Sequence, residues 1–358
     1  VTSLRILILE AQVPFVHGGA EILVRELAAT LGAHGHDVQI VSVPFTDHPK
    51  DEIFAGAEAW RRLDVTRVGG RDVDLIIATK FPTYFARHPR KVLWLVHQYR
   101  AAYELCGTRF SDFSHSPRDV ALRARLIAAD TRMLRECIGR FTIAQTVSDR
   151  LAQYNGLDSE ALYSPPKLAG RLRAGPYGDY VLTVTRLEHV KRVDLAIDAF
   201  AGGRCSMRLV IAGDGSARQS LRDRIEQRGL QDRVTLLGRV DDSQLVELYA
   251  NCRAVLFAPY QEDYGYVTLE AFLCRKPVIT ARDSGGPLEF VRDGVTGLIC
   301  DPTPEGLREA IDRFGSDRAF AEELGRQAYD VASDISWNRV AERLVAAARI
   351  HAPLGTPA

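Results

Sequence analysis

Two glutamates, Glu262 and Glu270, stand eight positions apart, and an arginine and a lysine, Arg186 and Lys191, stand five apart earlier in the chain. Paired carboxylates first suggest a general acid and base, but their setting points elsewhere. The apolar run 254–257 reads as a buried parallel strand and Pro259 ends it. After Gly265 a helix begins near Tyr266 or Val267, with Leu269, Phe272 and Leu273 on its inward face. The first N–H groups of such a helix have no partner within it, so a helix that follows a strand is ready to hold an anion. Gly265 lets the backbone come close to a ligand. Glu262 precedes that place and Glu270 lies in the helix's first turns, so one carboxylate reaches a sugar beyond a phosphate and the other a ribose. Arg186 and Lys191 flank a strand-to-helix turn, where a planar fork and a point charge can address one diphosphate.

The elements that must position these residues follow an α/β rhythm. In the first half, strands are expected at 4–9, 38–43, 75–78, 91–96 and 141–145. A loop at 10–16 ends in His17-Gly18-Gly19, and a helix follows at 21–31. A further helix is expected at 118–138, and Val147-Ser148 should open another. His97 and Lys80 end strands, which turns them toward the ligand crevice of a doubly wound sheet. Pro165-Pro166 disfavours helix and marks a linker near 165–176. The second half places strands at 180–184, 208–212 and 234–240, helices at 193–200, 221–228 and 242–249, and later helices at 304–314, 318–331 and from Ser336-Trp337 onward.

The run 258–289, with Glu262-x7-Glu270, Lys276-Pro277-Val278-Ile279 and Ser284-Gly285-Gly286-Pro287-x-Glu289, resembles the C-terminal signature of retaining glycosyltransferases of family four, GT-B fold. The resemblance covers nearly the whole chain and is most specific over 180–300. It implies two Rossmann-like doubly wound domains facing across a cleft. These are an acceptor-side domain at 1–168, a nucleotide-sugar-binding domain at 169–335 and a final helix at 336–350 crossing back to the first. It implies that Glu262 lies beside the donor sugar and Glu270 holds the ribose, with the amides of Gly265, Tyr266, Val267 and Thr268 on the diphosphate. Arg186 and Lys191 would stabilise the leaving group. Thr185 stands where family members commonly have Gly. Gly18 and Gly19 resemble the family's N-terminal glycine pair, Gly213 a loop beside the nucleotide, and Val240 the end of a strand that lines the base pocket. His97 matches a histidine near the reacting carbon.

The implied activity is that of a hexosyltransferase that uses a nucleotide-diphosphate sugar and retains anomeric configuration. The expected setting is bacterial glycan, lipopolysaccharide or exopolysaccharide synthesis. The donor is a substrate, so no cofactor is expected, and the lack of a His/Asp ligand cluster predicts no metal. Alternatives are a GT-B epimerase or phosphorylase, or a non-catalytic sugar-nucleotide-binding partner of a glycan-assembly complex. The absence of GxGxxG counts against a nicotinamide oxidoreductase.

Composition fits this reading. The 358 residues suit two domains, and zero formal net charge gives no sign of nucleic-acid binding. Six scattered cysteines form no CxxC pair, which suggests buried thiols in a reducing cytoplasm. No signal peptide or spanning run is apparent. Residues 84–140 carry eleven Lys/Arg against five Asp/Glu. A basic helix at 118–140 therefore offers a peripheral contact at the inner face of a membrane, or a site for a glycan or lipid-linked acceptor.

Overall fold

The structure, a computed structural model, describes residues 3–14, 18–46, 49–202 and 206–350. His17, Cys205 and the terminal stretch 352–358, expected to be a disordered tail, lie outside the described residues. The chain divides into two compact units, one of residues 1–164 with 336–358, the other of residues 165–335.

Unit 1 is built on β1 (Arg5–Gln12), α1 (Gly19–Ala33), β2 (Asp37–Pro44), α2 (Ile53–Arg62) and the small hairpin β3 (Arg67–Val68) and β4 (Arg71–Asp72). Then follow β5 (Leu75–Lys80), β6 (Lys91–His97), α3 (Pro117–Arg135), β7 (Gly139–Thr142), α4 (Gln145–Asn155) and β8 (Glu160–Ala161). The main sheet has the order β2-β1-β5-β6-β7-β8 and is parallel throughout, with Ile8 opposite both Ile40 and Ile77. Central strands covered on both faces read as unbroken aliphatic runs, and Leu75, Ile76, Ile77, Leu93 and Trp94 are fully buried.

Several boundaries differ from the sequence expectation. Strand β1 runs on to Gln12, so Glu10 belongs to the strand and not to the loop. Its buried carboxylate is met by the solvent-exposed Arg25, whose Nη1 and Nη2 donate at 2.5 and 3.1 Å, and by Ser42 Oγ at 2.5 Å. Helix α3 stops at Arg135, before 138, because the N–H of Ile138 donates to Lys91 O as the chain enters β7. Helix α4 opens at Gln145, and Ser148 lies inside it against Thr142 Oγ1 at 2.6 Å.

Unit 2 runs β9 (Tyr180–Val184), α5 (Val193–Phe200), β10 (Arg208–Ala212), α6 (Arg218–Gln227), β11 (Val234–Gly238), α7 (Asp242–Asn251), β12 (Ala254–Leu256) and α8 (Tyr266–Leu273). It closes with β13 (Val278–Ala281), β14 (Gly297–Cys300), α9 (Pro304–Ser316) and α10 (Arg318–Ala332). The sheet order is β11-β10-β9-β12-β13-β14, again parallel. Ile197, Leu209, Ile211, Leu256, Ile279 and Phe314 anchor its core. The linker 165–176 lies on this unit. Lys167 pairs with Asp242 and Arg173 with Glu247, and the buried Lys276 donates to Gly175 O and Pro176 O at 3.0 and 2.9 Å.

The last helix, α11 (Trp337–Ile350), belongs to unit 1, where it packs on α1, β6 and β7. Trp337 meets Trp94 edge to face with centroids 5.9 Å apart. Val340, Ala341 and Leu344 have no exposed surface. A Cβ built on Gly139 would come within 2.9 Å of Ala347 Cβ, so β7 and α11 touch too closely for a side chain at 139. Leu344→Ala should cost unit 1 about 2–5 kcal/mol, the usual loss for a leucine removed from a core, measured by denaturant unfolding.

Candidate functional site

In an open parallel sheet, the crevice for a ligand forms where strand order reverses, outside the carboxyl ends of the two strands on either side. In unit 2 those strands are β9 and β12. The chain leaving β9 carries Arg186 and Lys191; the chain leaving β12 carries Glu262 and, through α8, Glu270. The fold thus brings Lys191 and Glu262 together, and Lys191 Nζ donates to Glu262 Oε2. The pair is largely covered, with 10% of the lysine and 16% of the glutamate side chain exposed. The Arg186 side chain is exposed and makes no hydrogen bond or ion pair among the described residues. So only one of the two expected cations is engaged, and by a carboxylate.

The backbone around Glu262 is pinned on both sides. Its N–H donates to Ser284 O at 2.8 Å, and Gly286 N–H donates to Glu262 O at 2.8 Å. Gly285 has φ 72°, and a Cβ there would lie 2.5 Å from Glu262 O. Glycine is therefore required for the post-β13 loop to run beside Glu262. Gly265, at φ 84°, forms the N-cap of α8, packed beneath Phe257 and Pro287. Tyr266 and Val267 open the helix half-buried. Thr268 is fully buried, and its hydroxyl has no hydrogen-bond partner among the described residues. A buried unpaired hydroxyl is unusual, and this one sits in the first turn of the helix expected to hold an anion.

Glu270 is half-buried and accepts a 2.6 Å hydrogen bond from Tyr249 Oη on α7. Burial pushes its carboxyl above the ordinary carboxylate range, and the Tyr249 hydroxyl opposes that rise by favouring the ionised form. Gly213 follows β10 and donates its N–H to Gly238 O at 2.8 Å. Val240, together with Arg239, Ser243 and Gln244, lines a groove of about 650 Å3 along α7.

In unit 1 the sheet order reverses between β1 and β5. Gly18 caps α1 and Gly19 is its first residue. Gly18 N–H donates to Glu21 Oε2 at 2.8 Å, and Lys80 Nζ at the end of β5 donates to Glu21 Oε1 at 2.9 Å. Burial works to raise the Glu21 carboxyl, yet the Lys80 ammonium and the Gly18 N–H bring it below its ordinary value. Lys80 is buried. It stands opposite His97 across β5 and β6. The His97 ring is half-buried, with Nδ1 2.6 Å from Gln98 O.

Three functional neighbours were not visible as such in the sequence. Tyr249 reads as an ordinary residue on the inward face of a helix. Glu21 reads as a helix-start acid and is also an ion-pair partner. Arg192, beside Lys191, has no sequence signal that sets it apart and is buried. On α3, Asp119 and Asp130 are buried, whereas Arg118, Arg125, Arg132 and Arg135 are exposed, so the outward charge of this helix is basic. Among the described residues, no three His, Cys, Asp or Glu side chains group so as to hold a metal ion, and no helix is long and apolar enough to cross a membrane.

Comparison with known proteins places these geometries in a family context. Residues 173–331 match the profile of the family Glycosyl transferases group 1. The human alpha-1,3/1,6-mannosyltransferase is 34% identical over 161 residues, 40% of this chain, and the chain spans 38% of that relative's length. A glycosyltransferase of Methanocaldococcus jannaschii, itself uncharacterized, is 26% identical over 93% of this chain and 94% of its own. Among solved structures, Anabaena HepE in complex with UDP and glucose superposes with a TM-score of 0.69 at 20% identity, covering 96% of this chain and 98% of HepE. The chain therefore has the two-sheet α/β fold of the GT-B structures, and its residues 173–331 carry the pattern of Glycosyl transferases group 1.

Proposed function

We propose that this protein is a retaining glycosyltransferase of family four that moves a hexose from a nucleotide-diphosphate sugar to an acceptor hydroxyl. The observation that carries the reading is the Lys191–Glu262 pair at the strand-order reversal of unit 2, next to a helix N-terminus whose first turn holds the unpaired Thr268 hydroxyl. The complex of HepE with UDP and glucose and the mannosyltransferase relative agree with such a donor.

In this reading the donor diphosphate draws Lys191 away from Glu262, and exposed Arg186 swings onto the same phosphates. The two cations and the first N–H groups of α8 stabilise the charge that grows on the leaving diphosphate. Glu262, released, accepts hydrogen bonds from donor sugar hydroxyls and stabilises positive charge at the anomeric carbon. Glu270, with one oxygen held by Tyr249, offers the other to the ribose. The acceptor hydroxyl attacks on the face the diphosphate leaves, and its proton passes to the departing phosphate, so configuration is retained and no metal or other cofactor is needed. Unit 1 is the acceptor-side unit, with Gly18 and Gly19 at the start of α1 as candidates for the donor phosphates and sugar and His97 at the end of β6 as the candidate beside the reacting carbon. Assembly of bacterial surface glycan at the cytoplasmic face of the membrane is the setting that suits the basic face of α3.

Thermal-shift measurement against UDP, GDP and ADP should show stabilisation by one of them, growing with ligand concentration as RT ln(1 + [L]/Kd), and a nucleotide-sugar panel with that base should then show turnover. Lys191→Ala should lower that turnover by about 10²–10³-fold; full turnover in the variant would remove Lys191 from the reaction.

Tyr249→Phe removes the bond that favours the ionised Glu270, so the carboxyl rises further. Because only the carboxylate accepts both ribose hydroxyls, the acid limb of the kcat/KM profile should move to higher pH, with little change on the alkaline side. An unshifted acid limb would take Glu270 out of donor binding.

Arg125 and Arg132 should matter at a membrane. The protein should cosediment with vesicles containing anionic lipid and not with neutral ones, and binding should fall with added salt. The double variant Arg125→Glu with Arg132→Glu should stay in the supernatant; equal binding to neutral vesicles would argue against charge as the cause.

A further inference from the structure

Lys191 and Glu262 lie on loops from different strands, so something must hold those loops in register. Three backbone bonds contribute. Tyr260 N–H donates to Val190 O at 2.8 Å, Gln261 N–H to Asp283 O at 3.0 Å, and Glu262 N–H to Ser284 O at 2.8 Å. A further link is made by one side chain. Arg192 Nε donates to Ala258 O at 2.8 Å and Nη2 to Pro259 O at 2.7 Å, the two residues that leave β12. The same guanidinium makes a fork with Asp283, with Nη1 to Oδ2 at 2.8 Å and Nη2 to Oδ1 at 2.6 Å. One group thus ties the chain after β9, the chain after β12 and the chain after β13.

The backbone marks the same two places. Arg192 has φ 52° and Gln261 has φ 49°, left-handed conformations that residues with a Cβ rarely adopt. Each is the immediate neighbour of one member of the pair, Arg192 of Lys191 and Gln261 of Glu262. Glycine would satisfy φ at 192 without strain. An arginine held there at 7% exposure, with four hydrogen bonds from its head, shows that the position needs the guanidinium. Strain kept at two points beside a functional pair is what a preorganised site requires.

We propose that Arg192, locked to Asp283, is a positioning residue for glycosyl transfer: it sets the separation of Lys191 and Glu262 and touches neither donor nor acceptor. This rests on the function proposed above, since it concerns the same pair. A planar fork is needed, because a lysine ammonium cannot serve two carbonyls and both oxygens of a carboxylate in one plane.

The test uses the full chain and two variants. Arg192→Gly relieves the backbone and deletes the fork; Asp283→Asn keeps the shape and weakens the fork from the other side. The first readout needs no substrate. The rate at which a water-soluble acylating reagent modifies Lys191, followed by mass spectrometry of its peptide, should rise by roughly ten-fold in both variants, about what loss of a buried charged hydrogen bond implies. Low concentrations of guanidinium chloride, far below those that unfold the chain, should restore slow labelling in Arg192→Gly and have no effect on the parent protein. A merely structural role would show as lower stability without this rescue. The second readout is release of nucleoside diphosphate from the nucleotide sugar that the parent protein turns over. In Arg192→Gly kcat should fall by about 10²-fold, the scale of a misplaced reacting group, with donor KM near its original value and kcat regained with guanidinium. Unchanged Lys191 labelling in both variants overturns the proposal. A parent protein that turns over no nucleotide sugar overturns the glycosyltransferase reading instead, and the labelling result still decides whether Arg192 positions the pair.

Discussion

The interaction on which the candidate site depends is an ammonium and a carboxylate kept mostly out of water on two separate loops. Removing charges from water is costly unless they are paired in good geometry, so Lys191 and Glu262 impose a demand on everything around them. The demand is met by the order of the strands, which sets the ends of β9 and β12 side by side. It is met again by the glycine that lets the post-β13 loop pass beneath Glu262, and by the buried guanidinium of Arg192. In the function proposed above the pair also serves as a latch, each partner neutralising the other until a donor diphosphate displaces the carboxylate.

Unit 1 uses buried charge in a different way. The buried carboxylates Glu10 and Glu21 are each partnered, Glu10 by the exposed Arg25 and by Ser42, Glu21 by the buried Lys80 and the Gly18 N–H. They brace the end of β1 and the start of α1, so the glycine pair there is held by a fixed carboxylate. A scaffold of satisfied ions beneath a glycine turn keeps backbone N–H groups in place without a large apolar core at the strand ends.

Much of this was readable from residue order. The alternation of aliphatic runs and amphipathic stretches marked both parallel sheets, and the spacing of Arg186, Lys191, Glu262 and Glu270 singled out the residues that the fold of unit 2 sets around its strand-order reversal. What stayed hidden depends on contacts between residues far apart in the chain. Tyr249 and Glu270 are separated by a strand and a loop, and nothing local distinguishes a tyrosine that donates to a carboxylate from one that fills a core. Glu10 looked like the start of a loop because a charge in a strand pattern suggests exposure, and its partners come from α1 and β2. Arg192 drew no role from the sequence, because a left-handed arginine has no signature there. Local pattern reports periodicity well, and it reports the pairing of buried polar groups poorly.

The attachment of α11 has a consequence for how the chain reaches its native state. Unit 2 is one continuous stretch, and all of its strands and helices are present once residue 335 has been made. Unit 1 begins first at the ribosome but is completed last, because the surface over Trp94 and Gly139 waits for residues 337–350. Domains ordinarily fold as units from the N-terminus during synthesis; here the later-made unit is the first that can finish. The first unit must carry an uncovered apolar face through the synthesis of the second, and that interval is when the nascent chain is most open to chaperones and to aggregation.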